Sequence, residues 1–137
     1  MQRLLRIAFI ATSAATLAAC TAMRAPACGT GEQPMVQDAL YFGTAMPGGV
    51  VSGDEWADFL RATVTPRFPQ GLTAWQASGQ WRSADGKVAT EASHVLQLVH
   101  EGDAAHEQAV LEVMQAYKAR FRQEAVLRVR VPACVSF

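Results

Sequence analysis

The sequence has no surplus of positive charge: Lys and Arg together number 12, and so do Asp and Glu. With so little to neutralise phosphates, nucleic-acid binding has no electrostatic support. No C-x-x-C occurs, which argues against a catalytic thiol pair. The full P-loop pattern is missing, and Gly48-Gly49 alone is too little for a phosphate cradle. There is no G-x-S-x-G, so neither Ser52 nor Ser93 carries the signature of a triad nucleophile. Past the first twenty residues, no apolar run is long enough to span a bilayer. Charged residues make up only 18 % of the chain and apolar ones 50 %, a composition that suits a globular domain rather than disorder. At 137 residues there is material for one domain with a real core, not two.

What is present begins with an address. Arg3 and Arg6 precede an apolar run, Ile7 to Ala19, that is too short to span a membrane well. It ends in Leu17-Ala18-Ala19-Cys20, which resembles a bacterial lipobox, in which the Cys is acylated and becomes the mature N-terminus. The alternatives are an ordinary secretory signal or a short uncleaved anchor. On the lipobox reading, residues 1–19 are a lipoprotein signal peptide and Cys20 is the lipidation site. In such proteins an Asp after the Cys favours the inner membrane; Thr21 stands here, so the expectation is a periplasm-facing outer-membrane anchor. Cleavage removes Arg3 and Arg6, leaving a net formal charge of about −2 on the mature chain. More than one acyl chain is needed for a stable anchor.

Export places Cys28 and Cys134 in an oxidising compartment, where an even count favours a disulfide between them. The other reading is two unpaired thiols. A bridge would close a long loop between the tail and the last strand.

Residues 20–36 read as a linker, being small, polar and broken by Pro and Gly. Residues 37–137 read as a single α+β domain. Asp38 to Gly43 has the alternation and aromatics of a strand. Ser52 with Glu55 three residues on forms a capping box for a helix, whose stripe is Trp56, Phe59, Leu60, Thr63 and Val64. Pro66 ends it. Gly71 to Arg82 and Val88 to His100 read as a hairpin across Ser83-Ala84-Asp85-Gly86. Asp103 caps a second helix, Ala104 to Arg122, with a face of Ala109, Val110, Val113, Met114, Tyr117 and Phe121. Glu124 to Val131 alternates as a last strand. Strand, helix, strand, strand, helix, strand is the ferredoxin-like βαββαβ order, which predicts a four-stranded antiparallel sheet with two helices on one face.

One resemblance covers nearly the whole mature domain. YFG (Tyr41 to Gly43), VSGDEWADFL (Val51 to Leu60), VTPRFPQGLT (Val64 to Thr73), GQWR (Gly79 to Arg82), Glu91 with SHVLQLV (Ser93 to Val99) and YKARFRQEAVLRV (Tyr117 to Val129) resemble the bacterial domain-of-unknown-function family 3574 of small exported proteins. The resemblance implies the fold and carries no catalytic residue.

Helices on one face leave the other face of the sheet open. On the last strand Leu127, Val129 and Val131 are expected to meet the helices, which puts Arg128 and Arg130 on the open face. On the returning strand Glu91, Ser93 and Gln97 join them, with Thr73, Trp75 and Tyr41 from the neighbouring strands. Arg67 in its Pro-flanked loop and Arg82 complete the candidate binding surface; the other reading has Arg67 paired with a nearby Asp or Glu that pins its loop, and Arg82 over a packed Trp81 ring or paired to an acid. Such a mixed face suits a ligand pocket, a second copy packing sheet to sheet, or plain solvation. His94 and His100 lie about 20 Å apart along their strand, too far for one metal ion, and neither metal nor cofactor is expected. The function expected is a lipid-anchored envelope protein of unassigned activity, a non-catalytic binding or self-association module with a possible homodimer or small-molecule partner. The alternative is a small enzyme with a pocket on the open sheet face, as in dimeric α/β-barrel monooxygenase-like proteins.

Overall fold

The structure is a computed structural model describing residues 27–82 and 85–137, with Trp81 described by its backbone. The leader, Cys20, the turn residues Ser83 and Ala84 and the packing of the Trp81 ring lie outside the described residues. Strand β1 (Gln33–Gly43) runs into a two-strand ribbon, β2 (Ala45–Met46) and β3 (Gly49–Val50), and then into helix α1 (Gly53–Phe59). The hairpin β4 (Thr73–Arg82) and β5 (Val88–His100) follows, then α2 (Ala104–Phe121) and β6 (Leu127–Val135). The four long strands form an antiparallel sheet in the order β4-β5-β1-β6. This is the expected ferredoxin-like arrangement.

The first helix forms where its sequence says it should. Ser52 accepts from the Glu55 amide while the Glu55 carboxylate accepts from the Ser52 amide at 2.8 Å, so two amides that the helix leaves open are satisfied reciprocally. Its last turn widens into a π-turn, Leu60–Val64, closed by the Thr65 amide on the Leu60 carbonyl. The wider turn brings Val64 to the core just before Pro66 ends the helix. In α2, Asp103 accepts from the His106 amide at 2.8 Å as N-cap. Val110, Val113, Tyr117 and Phe121 are its buried stripe.

Both helices cover one sheet face, where Leu40, Phe42, Leu96 and Leu98 meet Trp56, Phe59, Val64, Val110, Val113 and Tyr117. Phe42 is the hub, with ring centroids 5.2 Å from Trp56 and 4.5 Å from Tyr117. The Tyr117 hydroxyl donates to the Gly43 carbonyl at 2.9 Å, and burial pushes its pKa above the ordinary range.

Two boundaries differ from expectation. β1 begins at Gln33, not Asp38, and β6 runs on to Val135. Each extension supplies the other's partner, as in Met35 with Ala133 and Gln33 with Val135. Residues 33–36 are therefore strand, not linker. Cys28 and Cys134 are disulfide-bonded, their Cα atoms 5.5 Å apart and 106 residues apart in sequence. The bridge fastens the entering chain beside the last strand.

A loop this long makes the bridge a large constraint on the unfolded chain. Replacing both cysteines by serine is expected to lower the unfolding free energy by about 2–5 kcal/mol, read from denaturant midpoints, with the circular dichroism of the native sheet retained.

Candidate functional site

The last strand decides what each face of the sheet carries. Leu127, Val129 and Val131 do not meet the helices; they point away from them and are 61 %, 45 % and 41 % exposed. Arg128 and Arg130 point inward, the reverse of the expected facing. The cause lies on β1, where Asp38 shares a side with Leu40 and Phe42 and is fully buried. A buried carboxylate needs paired, hydrogen-bonded partners. Arg128 supplies them as a fork, Nε to Oδ1 at 2.7 Å and Nη2 to Oδ2 at 2.8 Å.

The same guanidinium reaches α2, donating from Nη1 to Glu107 Oε1 at 2.6 Å and from Nη2 to Oε2 at 2.8 Å. Arg130 also donates to Glu107. From β5, His100 meets Asp38 Oδ2 with Nε2 at 2.9 Å and the Glu101 carbonyl with Nδ1 at 2.6 Å. Burial would raise the Asp38 pKa, but the hydrogen bonds from Arg128 and His100 outweigh it and hold it below the usual carboxylate range. Glu107 is held down first by its bond from Arg128. Four elements thus meet in one ionic knot: β1, β5, β6 and the first turn of α2.

The other expected site residues disperse. Arg67 is spent inside the fold, donating to Glu112 at 3.1 Å and to the Thr63 carbonyl at 2.8 Å, which pins its loop to α2 and to α1's last turn. Arg82 bonds the Gly86 carbonyl at 3.0 Å within its own hairpin. Ser93 and Gln97 do lie on the open face by register and alternation. Glu91 lies at its end beside Gly43, in the space a Cβ there would enter. His100 and His106 come together with ring centroids 5.3 Å apart, because the break at Glu101 to Asp103 folds α2 back over β5.

What stands on the open face is an apolar field. Paired residues of antiparallel strands share a side, so one row reads Trp75, Val95, Tyr41, Leu127 and the next Thr73, Gln97, Ala39, Val129. Trp75 and Tyr41 are 44 % and 39 % exposed, and Val95 is covered between them. Glu91 is the one charged side chain on this face among the described residues. Among the described residues, a hollow of about 190 Å³ lies beside His94 and Ser93 and another of about 130 Å³ between Phe68, His100 and His106.

The chain belongs to the DUF3574 family, described as proteins of unknown function, whose pattern matches residues 37–137. No curated protein matches it. Among solved structures it is similar to a phage SAM lyase in complex with S-methyl-5'-thioadenosine, with a TM-score of 0.56 and 14 % identity over 82 % of this chain and 95 % of that one. It is also similar to CutA from Synechococcus elongatus, with a TM-score of 0.53 and 11 % identity over 77 % of this chain and 83 % of that one. At these identities the likeness is one of fold.

Breaking the knot from one side is expected to be costly, because Asp38 would stay buried without its fork. Arg128→Met should lower the unfolding free energy by about 3–5 kcal/mol, and Asp38→Leu combined with Arg128→Met should recover much of it. The sign with pH follows from the lowered pKa values of Asp38 and Glu107. Their stabilisation is full above the unfolded values near 4 and is lost as pH falls through the lower folded ones. Urea midpoints from pH 7 down to pH 2 should fall steeply below pH 4 in the wild type, and less so in the double variant.

Proposed function

We propose that this protein is a non-catalytic self-association module held by a lipid at the bacterial cell envelope, with copies joined through the open sheet face. The observation that carries this reading is the face itself, apolar, nearly uncharged and left uncovered by both helices. A second copy fits it better than an unlike partner of opposite charge. Facing itself across a two-fold axis, a neutral face meets no like-charge repulsion. Strand spacing and rise give the face an extent of roughly 19 by 30 Å, so two copies would bury about 1,100 Å², at the lower end of specific interfaces. Trp75 and Tyr41 are residue types enriched at the centres of such interfaces.

The leader supports the address. Acylation at Cys20 would confine copies to one membrane surface and raise their effective concentration, which helps an interface of modest area. Thr21 favours the outer membrane. No described helix is long and apolar enough to cross a bilayer. The alternative, an enzyme with its pocket on the open face, needs an acid–base group there; Arg128 and His100 are committed to Asp38, which leaves Glu91 at the end of the face.

The test is the mass of the full-length protein in mild detergent, corrected for bound detergent. Two chains per particle are expected for the wild type and one for Trp75→Glu or Val129→Glu, both exposed positions whose substitution leaves the core intact. A single wild-type chain at all concentrations would contradict the proposal. Cys20→Ser should move the protein from the membrane fraction to the soluble one; continued membrane attachment would rule out the lipid anchor.

A further inference from the structure

The disulfide fixes more than the fold. Cys134 pairs by register with Pro34, so Cys28 is held at the end of the sheet where β1 begins and β6 finishes. Val36 pairs with His100, so the last residues of β5 lie at this end too. The opposite end carries Gly43 and the hairpin turn at Asp85 and Gly86. Chain arriving from Cys20 is thus fastened to the domain at Cys28, eight residues on.

Those eight residues reach at most roughly 28 Å when fully extended. β5, with 13 residues, is about 40 Å long. A domain held from Cys20 therefore cannot bring its hairpin-turn end down to the bilayer, because the tethered end would have to stand higher than the leash allows. Without the bridge the first fixed residue would be Gln33, thirteen residues from Cys20, and a leash of roughly 45 Å would let either end face lipid. At the tethered end Phe137, two residues past β6, is fully exposed. An aromatic ring in this place suits the headgroup boundary of a bilayer. The exposed carboxylates of Glu32, Glu101 and Asp103 lie at the same end, and anionic headgroups would repel them.

We propose that the Cys28–Cys134 end of the domain docks on a zwitterionic lipid surface, with the Phe137 ring in the headgroup region. The proposal rests on the lipid anchor at Cys20 and goes beyond it by giving the domain an orientation. Strands that rise from this end turn the open face along the plane of the membrane, toward a neighbouring copy.

The experiment uses the lipidated protein in nanodiscs of phosphatidylethanolamine and phosphatidylcholine, with a trace of lipid whose headgroup chelates gadolinium and broadens nearby amide signals. Strong broadening is expected at Met35, Ala133 and Val135, and none at Gly43, Gly86 and Lys87. Equal broadening at both ends, strongest broadening at Gly86, or strongest broadening at Trp75 and Leu127 on the open face would overturn the proposal. Phe137→Ser changes an exposed side chain and should weaken the broadening at Met35 and Ala133 while the protein stays with the nanodiscs; unchanged broadening would contradict the seat of Phe137 in lipid. Exchanging part of the lipid for phosphatidylglycerol should weaken the broadening, and a gain would contradict the zwitterionic surface. Loss of the protein from the nanodiscs is a separate result, which would sink the anchor at Cys20 along with the orientation.

Discussion

The fork between Arg128 and Asp38 is the constraint on which the rest of the molecule depends. Asp38 is on the core side of a central strand, between Leu40 and the helices, where an unpaired carboxylate is not tolerated. Arg128 answers it from β6 and in doing so turns that strand over. Alternation along a strand is strict, so one inward arginine sends Leu127, Val129 and Val131 outward together. The internal ionic knot and the apolar open face are therefore a single structural decision seen from two sides.

That coupling also explains how the fold joins its late elements to its early ones. Glu107 closes the knot from the first turn of α2, near the positive end of that helix, and His100 closes it from the end of β5. The knot lies where β1, β5 and β6 run side by side under α2, and the disulfide holds the far ends of β1 and β6 together. Charge inside and apolar surface outside is an unusual distribution for a strand at the edge of a sheet, where natural proteins more often place charge outward to prevent pairing. An edge of this kind is consistent with a face meant to be covered.

Much of the fold was legible from residue patterns. The capping box at Ser52 and Glu55, the cap at Asp103 and the two apolar stripes located the helices, and the turn residues located the hairpin. Strand order followed from element order. The facing of β6 was not legible from β6, because Leu-Arg-Val-Arg-Val alternates equally well in either orientation and the default puts arginine in water. The deciding signal was ninety residues away, in Asp38-Ala-Leu-Tyr-Phe, where an aspartate shares the parity of Leu40 and Phe42 and so requires a cation from elsewhere in the chain. Arg67 pins its loop to an acid, as such an arginine more often does, but which acid was not legible, because Glu112 and the Thr63 carbonyl are brought near it only by packing. The hollow at His94 has no local signature, since it is assembled from β4, β5 and the loop ahead of α1.

The central claim is that the face bearing Val129 is turned outward and covered by its counterpart in another copy. Cysteine placed at Val129 in the membrane-bound protein, treated with a short bismaleimide, tests it most directly. Efficient covalent dimers at position 129, with none from a cysteine at the exposed Leu111 on the opposite, helical side, are what this account predicts. Crosslinking at Leu111 but not at Val129, or a thiol at position 129 that reacts with no reagent, would contradict it.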